Sequence, residues 1–535
     1  MKPHLGSLFT EAGTGARPFR SVLWFWLLAL LIVLRPDTGP TPVRAEKPKS
    51  SSHAPGQPHP PNVLFLIADD LRGGTLGIDG DPHNATPHLD ALARQGVRFT
   101  RAYCNAPVCT ASRQSLLTGR LPHAVGVTLL PTALPEKALT LAEWLGNLGY
   151  ETAAFGKMHF NSQLKHGFQE RADIPQWNQW LRAHPPEGGD KRRPWRPFVD
   201  PASQWLNAAC LDSGLPEAST DSAYLANQAI DYLKQRHDNP FFLVVSLYDP
   251  HSPFRFPREL AGKFRPSDFK APAVSDEDRK HRPLVFKDLT DKDAQGIQAA
   301  YYSSVNHLDN QVGRVLDALE ASGQASNTLV VFLGDHGYML GEHGRFEKHC
   351  FYEPAVRAPL LMRWEGHLPT GRTVDGMVEF VDIFPTVLDL LGIASPGDLH
   401  GRSLSPLLRG EPGATGRDVV FSEYLENEEA MVRSERFKLI VGTGNRKRED
   451  GYITADPTPG PYMRLFDEVA DPGETKDLSR DPALRPVLEN LIDRMYTRLT
   501  TTRNGVQPAP AGLSKIATIH WCLIPRDRPA NRPTP

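Results

Sequence analysis

Cysteine is scarce in this chain: 535 residues carry five, Cys104, Cys109, Cys210, Cys350 and Cys522. An odd, widely spaced set excludes a small disulfide-stapled scaffold. An excess of one charge is lacking too. Sixty Lys and Arg stand against 62 Asp and Glu, a formal net charge of −2, with no concentrated basic stripe, so no nucleic-acid partner is expected. Membrane-spanning runs are also missing. The uncharged apolar stretch Val22 to Leu34 falls short of the roughly 20 residues that cross a bilayer. With Lys2, Arg17 and Arg20 ahead of it and Val43-Arg44-Ala45 after it, residues 1–45 read as a secretory signal peptide cleaved near Ala45. The expectation is export, to a periplasm, the extracellular space or a lysosome depending on the organism, with no stable membrane span.

Apolar residues, 40% of the chain, suffice for one large core and a smaller appended one. Residues 46–61 are rich in Pro, Ser, Lys and His without apolar periodicity, the composition of a flexible linker. From Asn62 the pattern changes. Asn62-Val-Leu-Phe-Leu-Ile-Ala68 is a continuous apolar run, as a strand buried on both faces of a parallel sheet would be. Similar runs recur at Thr152 to Phe155, Phe241 to Leu247 and Thr328 to Leu333. Helical patterns lie between them at His88 to Gln95, Ser222 to Arg236 and Ala299 to Ala321. Strands alternating with helices predict an α/β fold, a mostly parallel central sheet flanked by helices, over 62–416.

Two stretches, Gln176 to Pro216 and Phe254 to Asp291, are expected to be long surface excursions, and Trp177, Trp180, Trp195 and Trp205 in the first are either packed or free to stack on sugar rings. Short strand patterns at Asp418 to Ser422, Ala430 to Ser434 and Phe437 to Val441, a turn at Asp471-Pro-Gly473 and one closing helix, Pro486 to Leu499, predict a smaller antiparallel C-terminal subdomain over 417–535.

Chemistry-bearing residues follow the apolar strands. Asp69 and Asp70 come directly after the first, and Asp335 and His336 after the Thr328 to Leu333 strand. Ligands of open α/β sheets sit beyond the carboxyl ends of strands, and three carboxylates gathered there call for a cation. An oxygen-rich set favours one divalent ion, Ca2+ or Mg2+. His336 is the departure from that set, being commoner on transition metals. Next comes Cys109-Thr-Ala-Ser-Arg113-Gln-Ser-Leu-Leu-Thr-Gly119-Arg120. A helix over Ala111 to Leu117 would leave residue 109 just ahead of its first turn, where free N–H groups and the helix dipole attract an anion. Arg113 adds a fixed positive charge. Gly156-Lys157-Met-His159, Tyr248-Asp-Pro-His251 and Leu340 to Lys348 again follow predicted strands.

The Cys109 to Arg120 run resembles the signature of the formylglycine-dependent sulfatases, of the alkaline phosphatase superfamily, with Ala111 where most members have Pro. The Gly-Lys-x-His and His-x-Pro elements at Lys157, His159 and His251, and the second lysine, Lys348, are similar to that family's. Asp335-His336 and the Leu340 to Lys348 spacing most resemble its iduronate-2-sulfatase branch. The resemblance implies that a formylglycine-generating or equivalent maturation enzyme oxidises Cys109 to formylglycine, and that Ca2+ is held by Asp69, Asp70, Cys109, Asp335 and His336. It also implies sulfate-ester hydrolysis through a covalent sulfo-enzyme, on a sulfated carbohydrate. Lys157, Lys348 and Arg113 would neutralise sulfate oxygens, His251 or Lys348 would protonate the leaving alcohol, and His159 would hydrogen-bond residue 109. A phosphonate monoester or phosphodiester hydrolase using the same site, and an inactive carbohydrate-binding relative, are the alternatives. With Cys109 set aside for chemistry, the other four cysteines form up to two bridges or remain free thiols.

Overall fold

A computed structural model of the chain describes residues 60–187, 189–192, 201–445, 452–453, 460–503 and 506–527. The expected signal peptide over 1–45, all but the last two residues of the expected linker over 46–61, and Trp195 lie outside them. Among the described residues no helix is long and apolar enough to cross a membrane.

The strands, in chain order, are β1 (Asn62–Ala68), β2 (Val97–Phe99), β3 (Ala102–Tyr103), β4 (Glu151–Gly156), β5 (Glu170–Ala172), β6 (Phe241–Ser246), β7 (Thr328–Gly334), β8 (Leu360–Arg363), β9 (Arg372–Val374), β10 (Val378–Glu379), β11 (Val419–Tyr424), β12 (Glu429–Ser434), β13 (Phe437–Gly442) and β14 (Tyr462–Asp467). Eight form the central sheet in the order β5-β4-β6-β1-β7-β8-β2-β9. It is parallel except at β8, which runs antiparallel to both β7 and β2. Both faces are covered, which is why β1 lacks alternation. Val63, Phe65 and Ile67 enter one core with Phe242 and Val331, while Leu64, Leu66 and Ala68 enter a second with Ala299, Tyr301 and Val305.

Register brings the chemistry together. Ile67 pairs with Ser246, Ala68 with Gly334 and Gly156 with Ser246, so β1, β4, β6 and β7 end level. The hydrogen-bonded ladder continues one step past the strands, Lys157 N–H donating to Ser246 O at 2.9 Å and Asp335 N–H to Ala68 O at 3.0 Å. Asp69, Lys157, Leu247 and Asp335 therefore emerge along one edge.

The smaller sheet is antiparallel, β11-β12-β13-β14, and packs its apolar side on the helix Arg485–Thr501. A second closing helix, Lys515–Leu523, adds Ile519 and Leu523 to that core, so the expectation of one closing helix was incomplete. Its short apolar run follows a polar stretch and carries little periodic signal.

The long helix also starts earlier than expected, at Asp291 instead of Ala299, because Thr290 and Asp293 form a capping box ahead of a polar first turn. The Gln176 to Pro216 stretch is not a mere surface excursion. The helix Ile174–Ala183 starts on a capping box of Asp173 and Gln176, and Trp177 and Trp205 are buried in the core. Trp177 Nε1–H donates to Ser219 O at 3.1 Å. All five cysteines are free thiols, so neither possible bridge forms.

Candidate active site

Cys109 opens the helix Cys109–Thr118 as its first residue, rather than preceding it, and all ten residues of that helix are buried. Val108 at the N-cap has no side-chain oxygen, which leaves the first-turn N–H groups without a side-chain cap at the strand-end edge. Four polar groups converge on the sulfur. Sγ lies 3.3 Å from Asp69 Oδ1, 3.2 Å from His336 Nε2, 3.2 Å from Lys348 Nζ and 3.6 Å from Lys157 Nζ.

Each partner is fixed in turn. Lys157 is ion-paired with Asp69, and Lys348 Nζ donates to Asp70 Oδ1 at 2.8 Å. His336 shares Nδ1 with Gly337 O at 3.0 Å, leaving Nε2 toward the sulfur. Gly156, at the end of β4, sets the height of Lys157: its φ is +105°, and a Cβ there would stand 1.9 Å from Ser246 O.

Arg113 comes to the site, its Nη2 buried without a hydrogen-bond partner 3.8 Å from Asp69 Oδ1. Its Nε donates to Asp335 Oδ2 at 2.8 Å, and Nη1 donates to Lys157 O at 2.6 Å and Ser246 Oγ at 2.5 Å. Its side chain is 2% exposed. The resemblance implies that it neutralises a sulfate oxygen; its hydrogen bonds also hold Asp335 and the Lys157 turn in place.

His159 does not touch the sulfur either. Its Nδ1 lies 3.2 Å from Thr110 Oγ1, so the neighbour of residue 109 stands in that bond. His251 is partly exposed, its Nε2 3.9 Å from Asp70 Oδ2. Of the residues predicted from sequence, Asp69, Asp70, Lys157, Asp335, His336, Lys348 and His251 thus lie around residue 109, with Arg113 Nη2 turned to Asp69 and His159 bonded to Thr110.

Sequence reasoning missed the supports. Ser112 Oγ donates to Asp335 O at 2.5 Å, Ser246 Oγ donates to Lys157 O at 2.7 Å, and Gln114 Nε2 donates to Met158 O at 3.0 Å and His159 O at 2.9 Å. Ser112 and Gln114 lay inside the motif. The only signal they gave was being polar in a helix that proves to be wholly buried.

Electrostatics follow from this crowding. Burial raises the Asp69 carboxyl, but Lys157, His251 and Arg113 outweigh it and hold the group well below the usual range. For Asp70 burial wins over Lys348, and the carboxyl is raised. Burial opposes charge on Lys348, yet Asp70 beside it keeps the ammonium protonated well above the lysine range. Burial and then the neighbouring lysines push His251 and His159 down.

A hard cation fits this donor set. Asp69, Asp70, Cys109 and His251 offer donor atoms within 4.8 Å of one another, as do Asp69, Cys109, Asp335 and His336. Asp70 Oδ2 is buried with no hydrogen-bond partner, an acceptor that a cation would satisfy.

Residues 61–393 match the family model described as sulfatase, and residues 341–501 the model described as N-sulphoglucosamine sulphohydrolase, C-terminal. The chain is 31% identical over 442 residues to an arylsulfatase of Clostridium perfringens, covering 76% of this chain and 90% of that protein. It is 28% identical over 468 residues to a delta 4,5-hexuronate-2-O-sulfatase of Bacteroides thetaiotaomicron, covering 82% of this chain and 89% of that protein. Its fold is similar to the crystal structure of a phosphonate monoester hydrolase of Agrobacterium radiobacter, with TM-score 0.70 and 27% identity over 83% of this chain and 96% of the other.

Proposed function

The chain belongs to the sulfatase family, and from that premise we propose that it hydrolyses sulfate esters on a saccharide, using formylglycine made from Cys109 by a maturation enzyme. Asp69, Asp70, Asp335 and His336 would hold one Ca2+ beside residue 109. One observation carries the reading: Sγ of residue 109, at an uncapped buried helix N-terminus, has Asp69, His336 and Lys348 within 3.3 Å.

The hydrated aldehyde supplies a nucleophilic hydroxyl and a second hydroxyl whose loss of a proton expels sulfate, chemistry closed to a thiol or an alcohol. The cation supplies a fixed positive charge where negative charge gathers. Lys157 and Lys348, both nearly buried, neutralise the sulfate oxygens as the S–O bond breaks. Lys348, held protonated by Asp70, or the partly exposed His251 gives the leaving alcohol its proton. Arg113 orients Asp335, and His159 orients Thr110.

The test is mass spectrometry of the tryptic peptide containing residue 109, together with turnover of an aryl sulfate. Formylglycine in active protein supports the reading, and an unmodified thiol in fully active protein overturns it. The finer substrate assignment, a 2-O-sulfated uronic acid, draws support from the hexuronate-2-O-sulfatase relative. Assay on a panel of 2-O-, 4-O-, 6-O- and N-sulfated disaccharides decides it. Export, expected from residues 1–45, belongs with a substrate outside the cell.

The fold likeness to the Agrobacterium phosphonate monoester hydrolase supports a second reading, the same site acting on a phosphonate monoester or phosphodiester. A kcat/KM higher for an aryl phosphonate than for an aryl sulfate would favour it. An inactive carbohydrate-binding role finds no support where every candidate nucleophile and cation donor is present.

A further inference from the structure

Asp70 adopts a backbone conformation that costs any residue with a Cβ, though Asp bears it better than most. Its φ is +70°, in the left-handed region where a Cβ is unfavourable. The turn is pinned at three points. Asp70 N–H donates to Asp335 Oδ1 at 3.2 Å, and the Tyr301 hydroxyl donates to Asp70 O at 2.9 Å while accepting Arg72 N–H at 3.1 Å. One hydroxyl thus closes both sides of the turn. Tyr301 is fully buried on the helix Asp291–Ala321, its ring edge-on to Phe254 at 5.5 Å, so its hydroxyl has little freedom.

One turn further along the same face of that helix, Ser304 Oγ donates to Asp249 Oδ1 at 3.0 Å. Asp249 O in turn accepts Asp69 N–H at 3.1 Å. The backbones of both adjacent carboxylates are therefore tied to one helix, Asp70 directly and Asp69 through Asp249.

We propose that Tyr301, with Ser304 in support, is a positioning residue for the cation site: it holds Asp70 in its left-handed turn so that the carboxylate faces Asp69, His251 and residue 109. This rests on the cation reading given above. The tyrosine hydroxyl never reaches the ion or the substrate; it acts through the Asp70 backbone.

The experiment is calorimetric titration of Ca2+ into the full-length, chelator-stripped protein, with thermal unfolding measured on the same samples. Tyr301→Phe keeps the ring and removes only the hydroxyl, and should weaken Ca2+ binding roughly 10-fold, the lower end for losing an outer partner of a metal ligand. Tyr302→Phe is the control. Its hydroxyl, on the next residue, donates to Asp81 Oδ2 at 2.5 Å, away from the site. Tyr302→Phe should lower the melting temperature and leave Ca2+ affinity unchanged. Wild-type affinity in Tyr301→Phe, or equal weakening in both variants, overturns the inference while the cation reading stands. Absence of Ca2+ binding by the wild type overturns the cation reading and this inference with it. If Tyr301→Phe does not fold, Ser304→Ala carries the test: weaker Ca2+ binding supports the inference and unchanged binding overturns it.

Discussion

At residue 109 the sulfur is hemmed in by a carboxylate, an imidazole and two ammonium groups, an arrangement that stabilises added negative charge. Cys109→Ser, with residue 109 verified by mass to remain an alcohol, should accept one sulfo group and stall. Intact-mass measurement after incubation with an aryl sulfate should show a single adduct and no steady turnover; sustained turnover would sink the formylglycine scheme. Arg113 makes a different point. Its place in the motif was legible, but its bonds to Asp335, Lys157 and Ser246 were not, because spacing along a helix says nothing of which groups press on it from other strands. Arg113→Ala leaves Asp335 Oδ2 buried without its guanidinium while Oδ1 keeps the Asp70 and His336 N–H groups, and should cost about 3 kcal/mol of stability, read as a lower denaturant midpoint. A near-normal midpoint with lost activity would instead assign Arg113 to the sulfate. His159 shows the same limit, since no local pattern foretold its bond to Thr110 Oγ1.

Among the elements, the buried strands β1, β4, β6 and β7 were readable because burial on both faces removes polar alternation and leaves continuous apolar runs. The antiparallel β8 and the two-residue β3 and β10 were not, being too short for a periodic signal. Gly156 shows what the level strand ends demand. Gly156→Ala adds a Cβ that overlaps Ser246 O at a positive φ, and should destabilise the protein by about 3 kcal/mol or more. Thermal unfolding checks this: a melting temperature within a degree of wild type would mean that the two strand ends separate without cost. Because Lys157 follows Gly156 directly, activity should fall further than the loss of folded protein accounts for.

Across the whole molecule, distant parts of the chain close on the site. Asp527, near the C-terminal end of the described residues, accepts Thr128 N–H at 2.7 Å, Thr128 Oγ1–H at 2.5 Å and Leu129 N–H at 3.2 Å. The next residue, Leu130, offers its carbonyl to Thr110 Oγ1–H at 2.8 Å, beside the nucleophile. Asp527→Ala should speed amide hydrogen exchange across 126–132 and raise KM for an aryl sulfate, with the β11 to β14 sheet unaffected. Unchanged exchange in that loop would show the clasp to be idle. The sequence by itself determined the fold class, the parallel strands and most residues around position 109, because burial and strand-end chemistry leave local patterns. Tertiary structure alone decided that Arg113 binds Asp335 and His159 binds Thr110, that the cysteines stay unbridged, that Trp177 and Trp205 are core, and that Tyr301 meets the Asp70 turn and Asp527 the Thr128 loop. Those outcomes depend on which side chains from distant segments meet, and no local pattern encodes that.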